Sequence, residues 1–214
     1  AGAVGYGIAG ICLIRLKHVR PRICPRFLGI SSENAAHRIA VQWDHAGIPQ
    51  TGVYIPRRDT SSSLNVIAGS RLFPGAYHLA QFDVREGRDQ LNVAMQSRDR
   101  LVRIQVNAHV TTHLPGSSVF ISLADVSEFF KSGAVGYSPQ SSAGRFDGLE
   151  MRTHNWHVEP LKVDGIETSF VDDRTVFPSG AATFDSALLM RGIEHEWHSR
   201  ETICDTDVCE TPIC

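Results

Sequence analysis

Three alternating segments in the middle of the chain constrain its fold most: Tyr77–Arg85, Gln90–Ser97 and Leu101–His113. In the third, Val102, Ile104, Val106, Ala108 and Val110 share one face of an extended strand, and Arg103, Gln105, Asn107 and His109 share the other. Side chains alternate with period 2 along a strand, so this pattern predicts a sheet with one apolar and one wet face. Such a surface is either a half-solvated antiparallel sheet or the wall of a polar-lined barrel. Gly87-Arg88-Asp89 reads as the hairpin turn between the first two segments.

The flanking sequence continues the β pattern. Ile11–Leu16 and Ala36–Trp43 read as strands, the second with Ile39, Val41 and Trp43 on one face. Gly52–Pro56 is a short strand stopped by its proline, and Arg57–Ser61 a loop after it. Leu64, Ile67, Ala68 and Leu72 fall at helical spacing, with Asp59, Thr60 or a serine as the cap. Leu123–Lys131 is an amphipathic helix that buries Val126, Phe129 and Phe130 and stops at Gly133. Further strands are expected in Leu149–Pro160 and Gly165–Phe170, and in Thr183–Arg191, where a strand fits better than a helix. The expected architecture is mainly β (α+β), closed or nearly closed, with two or three short helices. One domain spans 1–199, its N-terminus truncated, and 200–214 forms a polar, mobile tail.

Composition removes several function classes. The net charge is −2 and the basic residues are scattered, which argues against a nucleic-acid partner. The first apolar stretch, Ala1–Leu16, is too short to span a bilayer and lacks a basic leader, so no membrane association is expected. The chain has five cysteines, Cys12 and Cys24 near the start and Cys204, Cys209 and Cys214 in the tail. An odd, end-loaded set points to free thiols and a cytoplasmic location. Neither the tail spacing nor Glu194-His195-Glu196-Trp197-His198 matches a metal-site signature, so no metal and no other cofactor is expected. Gly5-Tyr6-Gly7 lacks the rest of a dinucleotide fingerprint and reads as a turn.

Asp59, Leu64, Ile67-Ala68-Gly69-Ser70-Arg71 and Gly75-Ala76-Tyr77-His78-Leu79-Ala80 together resemble a motif of the acetoacetate decarboxylase-like superfamily. With Gly69 and Leu79-Ala80 as anchors, Tyr77-His78 falls on the family's Lys-Lys pair and Arg71 on its Glu. Tyr54–Ser62 and Phe184–His198 are similar to an uncharacterised branch of the same superfamily, and that similarity runs over about residues 8–199. The resemblance implies a double-wrapped β-barrel with a central pocket and assembly into homo-oligomers. It also implies that the family's covalent route is missing. A lysine imine needs a free amine, and neither tyrosine nor histidine supplies one. The only lysines are Lys17, Lys131 and Lys162, none within the motif.

The candidate site residues follow. Arg57 and Arg58 suit an anion clamp, because guanidinium groups hold carboxylates bidentately, and Asp59 can orient one of them. Arg71 and Arg191 are further ligand-binding candidates. His78 and Tyr77 alternate on a strand, so only one faces inward; with Asp59 they are the candidate catalytic groups. The expected function is binding of a small, anionic, organic acid-like molecule without Schiff-base chemistry. The alternatives are a non-covalent acid–base enzyme of lyase, hydratase or tautomerase type acting on a carbonyl acid, and a structural or interaction domain.

Overall fold

The computed structural model describes residues 6–20, 29–45, 47–72, 75–140 and 142–204, with side chains placed for all of them except 45 and 68–72. Strands dominate and two short α-helices accompany them. Two compact units form from interleaved segments: residues 6–79, 133–152 and 197–204 make the first, and 80–132 with 153–196 the second. No helix among the described residues is long and apolar enough to cross a membrane.

The first unit is built on β1 (Ala9–Val19), β2 (Ile30–His45) and β3 (Ile48–Thr60), paired antiparallel in chain order. The β2–β3 turn needs a left-handed residue. Gly47 supplies it at φ 80°, and its N–H donates to Asp44 Oδ1 at 2.7 Å.

Strand β3 overturns the expectation that Pro56 ends a short strand and Arg57–Ser61 is a loop. The ladder pairs Ile39 with Tyr54 and then His37 with Arg57. Ile55 and Pro56 therefore stand opposite the single residue Arg38, which is a β-bulge. A proline has no N–H to give to a ladder, and a bulge is a place where none is required. The strand passes through it and carries Arg57, Arg58, Asp59 and Thr60 in extended conformation.

The other edge of β3 is shared. β7 (Val135–Pro139) runs parallel to it at Val53 and Tyr54. The first three residues of β4 (Tyr77–Glu86) run parallel to it at Arg58, Asp59 and Thr60. β8 (Arg145–Thr153) pairs antiparallel with β7, and β11 (His195–Cys204) lies beside β8. α1 (Ser63–Leu72) follows β3, capped by Ser62 Oγ, which accepts from Asn65 N–H at 3.3 Å. Leu64 and Ile67 on this helix are exposed, so its apolar spacing does not mark a buried face.

The second unit is an antiparallel order of β4 from Ala80, β5 (Gln90–Ser97), β6 (Arg103–Val110), β9 (Glu159–Thr168) and β10 (Ala187–Leu189). The alternation in β6 is as expected: Ile104 and Ala108 are buried while Arg103 and Gln105 are exposed. Gly87 N–H donates to Gln90 O at 2.8 Å and closes the expected hairpin. α2 (Leu123–Ser132) buries Val126 completely. Phe130, expected inside, is exposed and keeps ring contacts with Phe120 and Phe129. The strand expected over Thr183–Arg191 shortens to three residues.

The mainly β class is therefore established. The pairing order of the second unit does not return from β10 to β4, and the described strands close no barrel. The tail differs from expectation. β11 continues in strand conformation past Ser199 to Cys204. Cys12 is a free thiol, whereas Cys204 is disulfide-bonded. The free-thiol expectation fails for Cys204 because an odd total can still contain a pair. Gly5, Cys24, Cys209 and Cys214 also lie outside the described residues.

Candidate functional site

The C-terminal half of β3 places four polar residues in a row, and strand geometry sorts them. Arg57 and Asp59 take one face, Arg58 and Thr60 the other. Register brings in the neighbours: His37 stands opposite Arg57, Tyr77 beside Arg58, and His78 beside Asp59. Tyr77 and His78 thus divide between the two faces, as alternation requires.

On the first face, Asp59 is fully buried. Arg57 Nε donates to both of its oxygens at 3.1 Å, and Arg57 Nη2 to Oδ1 at 2.8 Å. His37 Nε2, in a ring that is also buried, lies 3.1 Å from Asp59 Oδ2. Burial alone would raise the Asp59 pKa. The hydrogen bonds from His37 and Arg57, with their charges, outweigh it and hold the carboxyl below its ordinary value. An ionised carboxylate only accepts, so His37 Nε2 is the N–H donor of the pair. Asp59 is the anion that Arg57 holds, and the Arg57 Nε and Nη2 donors are engaged there.

On the second face, Arg58 is only 9% exposed. Its guanidinium carbon lies 5.8 Å from the centre of the Tyr77 ring, a cation–π arrangement, and its Nη1 donates to the buried Ser138 Oγ. Burial lowers the Arg58 pKa, Tyr77 opposes that shift, and the nearby positive charge of Arg38 adds to it. Burial raises the Tyr77 pKa, with Arg58 in partial opposition, so the phenol is a neutral donor at physiological pH. Arg38 extends the face. Its Nη2 donates to Gly133 O at 3.1 Å, while its Nε is buried and has no hydrogen-bond partner among the described residues.

This cluster forms where the two parallel partners of β3 give way to each other. Ser138 comes from β7, and Gly75 lies two residues before the start of β4. A Cβ on Gly75 would lie 2.8 Å from both Arg58 Nη1 and Ser138 Cβ, and its φ of 98° also favours glycine. The backbone thus approaches the guanidinium as only a glycine allows. Among the described residues the result is a convergent set of donors: two guanidinium groups, a neutral phenol and a hydroxyl.

The remaining candidates lie elsewhere. Arg71 is in the last turn of α1, and its side chain is outside the described residues. Arg191 belongs to the second unit, where it binds the β4–β5 hairpin. Its guanidinium donates to Glu86 Oε1 at 2.9 Å, Gly87 O at 2.7 Å and Arg88 O at 2.9 Å. This is a structural clamp, formed because the apolar β10 segment ends beside the turn. Lys17, Lys131 and Lys162 are all exposed. His195 to His198 lie along β11, where alternation separates neighbours. No group of three or more His, Cys, Asp or Glu side chains among the described residues could hold a metal.

No protein-family model and no curated protein matches this chain in sequence. Sequence reasoning missed His37, Arg38 and Ser138. A signal was present for the first two: a histidine–arginine pair in a mainly apolar strand, Ala36–Trp43, is costly to bury unless both find partners. Ser138 carried none, because its strand and its parallel pairing are not legible locally.

Proposed function

We propose that the chain binds a small organic anion at the Arg58 face of the first unit, without covalent chemistry. The carrying observation is the buried Arg38 Nε, an N–H without an acceptor among the described residues, beside a second guanidinium. Buried donors are nearly always satisfied, and one left open next to another positive charge fits a ligand acceptor. A carboxylate there would receive charge-assisted bonds from the arginines. The Tyr77 phenol would donate to a neutral oxygen on the same ligand. We further propose a distant kinship with acetoacetate decarboxylase-like proteins, including their double-wrapped barrel. It rests on the spacing around Gly69 and Leu79-Ala80, with the imine lysine replaced by Tyr77-His78. Three exposed lysines support the absence of Schiff-base chemistry, since a reactive amine is normally freed by burial.

The test is a thermal-shift and calorimetric screen of small carboxylates, including hydroxy and keto acids. A hit should lose at least about tenfold in affinity in Arg38→Met and in Arg58→Met, the scale of one lost charge-assisted hydrogen bond. Binding that survives both substitutions would sink the proposal. So would a borohydride-trapped adduct on any lysine. The second reading, an acid–base enzyme, draws on the His37–Asp59 pair and on His78 in register with Asp59. It predicts turnover of a bound carbonyl acid that stops in His78→Ala while binding persists.

A further inference from the structure

A separate feature of the first unit lies at the far end of the β1–β2 ladder. A cleft of about 340 Å³ opens there, lined among others by Arg15, Lys17, His18, Ser31, Glu33 and Ser61. In a regular strand, Lys17 and His18 would point to opposite faces. Here the register shifts between Leu16 and Val19, and His18 takes φ 55°, so both residues line the same cleft. A bulge re-aims a side chain in this way, and a left-handed non-glycine residue costs roughly 1–2 kcal/mol.

The distortion sits against the start of β2. His18 N–H donates to Ser31 Oγ at 3.2 Å. Gly29 approaches so closely that a Cβ there would lie 2.6 Å from His18 Cα. The hydroxyls are oriented too. Ser31 Oγ accepts from His18 N–H, and Ser61 Oγ accepts from Glu33 N–H at 2.9 Å. With their oxygens facing backbone donors, both hydroxyl hydrogens can turn to a ligand. Ser32 Oγ takes no such part, because it is bound into a network with Asn34 and Asn65. Glu33, the carboxylate of the cleft, is paired with Arg15, so their charges offset.

What remains is the Lys17 ammonium, the His18 imidazole and two hydroxyl donors, drawn from three chain segments. We propose that this cleft binds the phosphoryl group of a small phosphomonoester. Donors spread over several directions suit the three terminal oxygens of a tetrahedral phosphoryl group better than the two oxygens of a planar carboxylate. The volume is at the small end of ligand pockets, enough for a short organic moiety beside Leu16.

The experiment titrates the full chain with glycerol 3-phosphate, inorganic phosphate and acetate, followed by ³¹P NMR and calorimetry. Saturable binding of glycerol 3-phosphate is expected, weakened at least about fivefold by Lys17→Ala and by Ser61→Ala, as for one lost charge-assisted contact. Circular dichroism melts should stay two-state in both variants, which keeps the loss distinct from unfolding. Equal binding of inorganic phosphate supports the phosphoryl site and names the free anion as its source. Three results would overturn it: no saturation by roughly 20 mM, well past the weak-ligand range; unchanged affinity in Lys17→Ala; or acetate binding as tightly as glycerol 3-phosphate.

Discussion

In the second unit the deepest side chains are mostly apolar, Met95, Ile104, Ala108 and Val126, with Ser97 the polar exception. In the first, His37, Asp59, Thr60 and Ser138 are buried as completely, with Arg58 close behind. Both units use extended chain and alternation, yet they remove different atoms from water. The apolar interior is stabilised by area and tolerates a repacked neighbour. The polar interior depends on every donor meeting its acceptor, because in low dielectric an unpaired partner is far more costly than a matched pair is favourable. A replaced methyl changes the first kind of interior by degrees. A removed carboxylate changes the second at once.

That contrast can be broken most directly at Asp59. Asp59→Ala strands the buried His37 and the inward-turned Arg57, and it should destabilise the protein by about 3–5 kcal/mol in urea unfolding. A loss below about 1 kcal/mol would mean that the cluster is not holding its unit together. Ile104→Ala, at the centre of the apolar interior, should cost about 2–5 kcal/mol, with Ile104→Val near 1. A graded response at Ile104 beside an all-or-none response at Asp59 is the signature expected of the two interiors.

Acid should separate the two next. The Asp59 pKa is lowered on folding. Its contribution is therefore complete above the ordinary aspartate range and is lost as pH falls through that range toward the folded value. Melts between pH 7 and pH 3 should show this loss in the native chain and less of it in Asp59→Asn. Tyr77 works from the alkaline side. Its pKa is raised on folding, so stability falls as pH rises from about 10, the unperturbed value, toward the folded value. Tyr77→Phe should flatten that limb, read from unfolding at pH 9 to 11. The smallest effect is expected at Arg191→Ala, about 1 kcal/mol, because its hairpin contacts are partly exposed. Ligand affinity at the Arg58 face should be untouched by it.

The same contrast explains what was readable in the sequence. β5 and β6 announce themselves, since their alternation runs without interruption and they pair with each other across a short turn. β3 did not. Pro56 has a strong local meaning, and only the two-against-one pairing with Arg38 shows why the strand survives it. The candidate site was half legible: Arg58, Asp59, Tyr77 and His78 stood out as polar groups in a recognisable pattern. His37, Arg38 and Ser138 complete it from segments tens of residues away, and pairing register across such distances leaves no local trace. Arg191 looked like a ligand-binding arginine for the reason that it is a good clamp: both uses want a planar fork near an apolar strand end.

The shared edge of β3 has a consequence for biosynthesis. Its neighbours are made in the order Tyr77–Leu79, then Val135–Pro139, and β11 follows only after residue 195. The ribosome therefore releases β1 to β3 long before half of that edge has a partner. Within the second unit, β4 to β6 are synthesised between the first two of these instalments and, with their short hairpin connections, can pair while the first unit waits. For that interval Val53 and Tyr54 sit on an open strand edge, while Arg58, Asp59 and Thr60 are already covered by Tyr77–Leu79. The bulge at Ile55 and Pro56, just beyond that open stretch, is then a safeguard, since a bulge and a proline on an edge resist pairing with the wrong chain until β7 arrives.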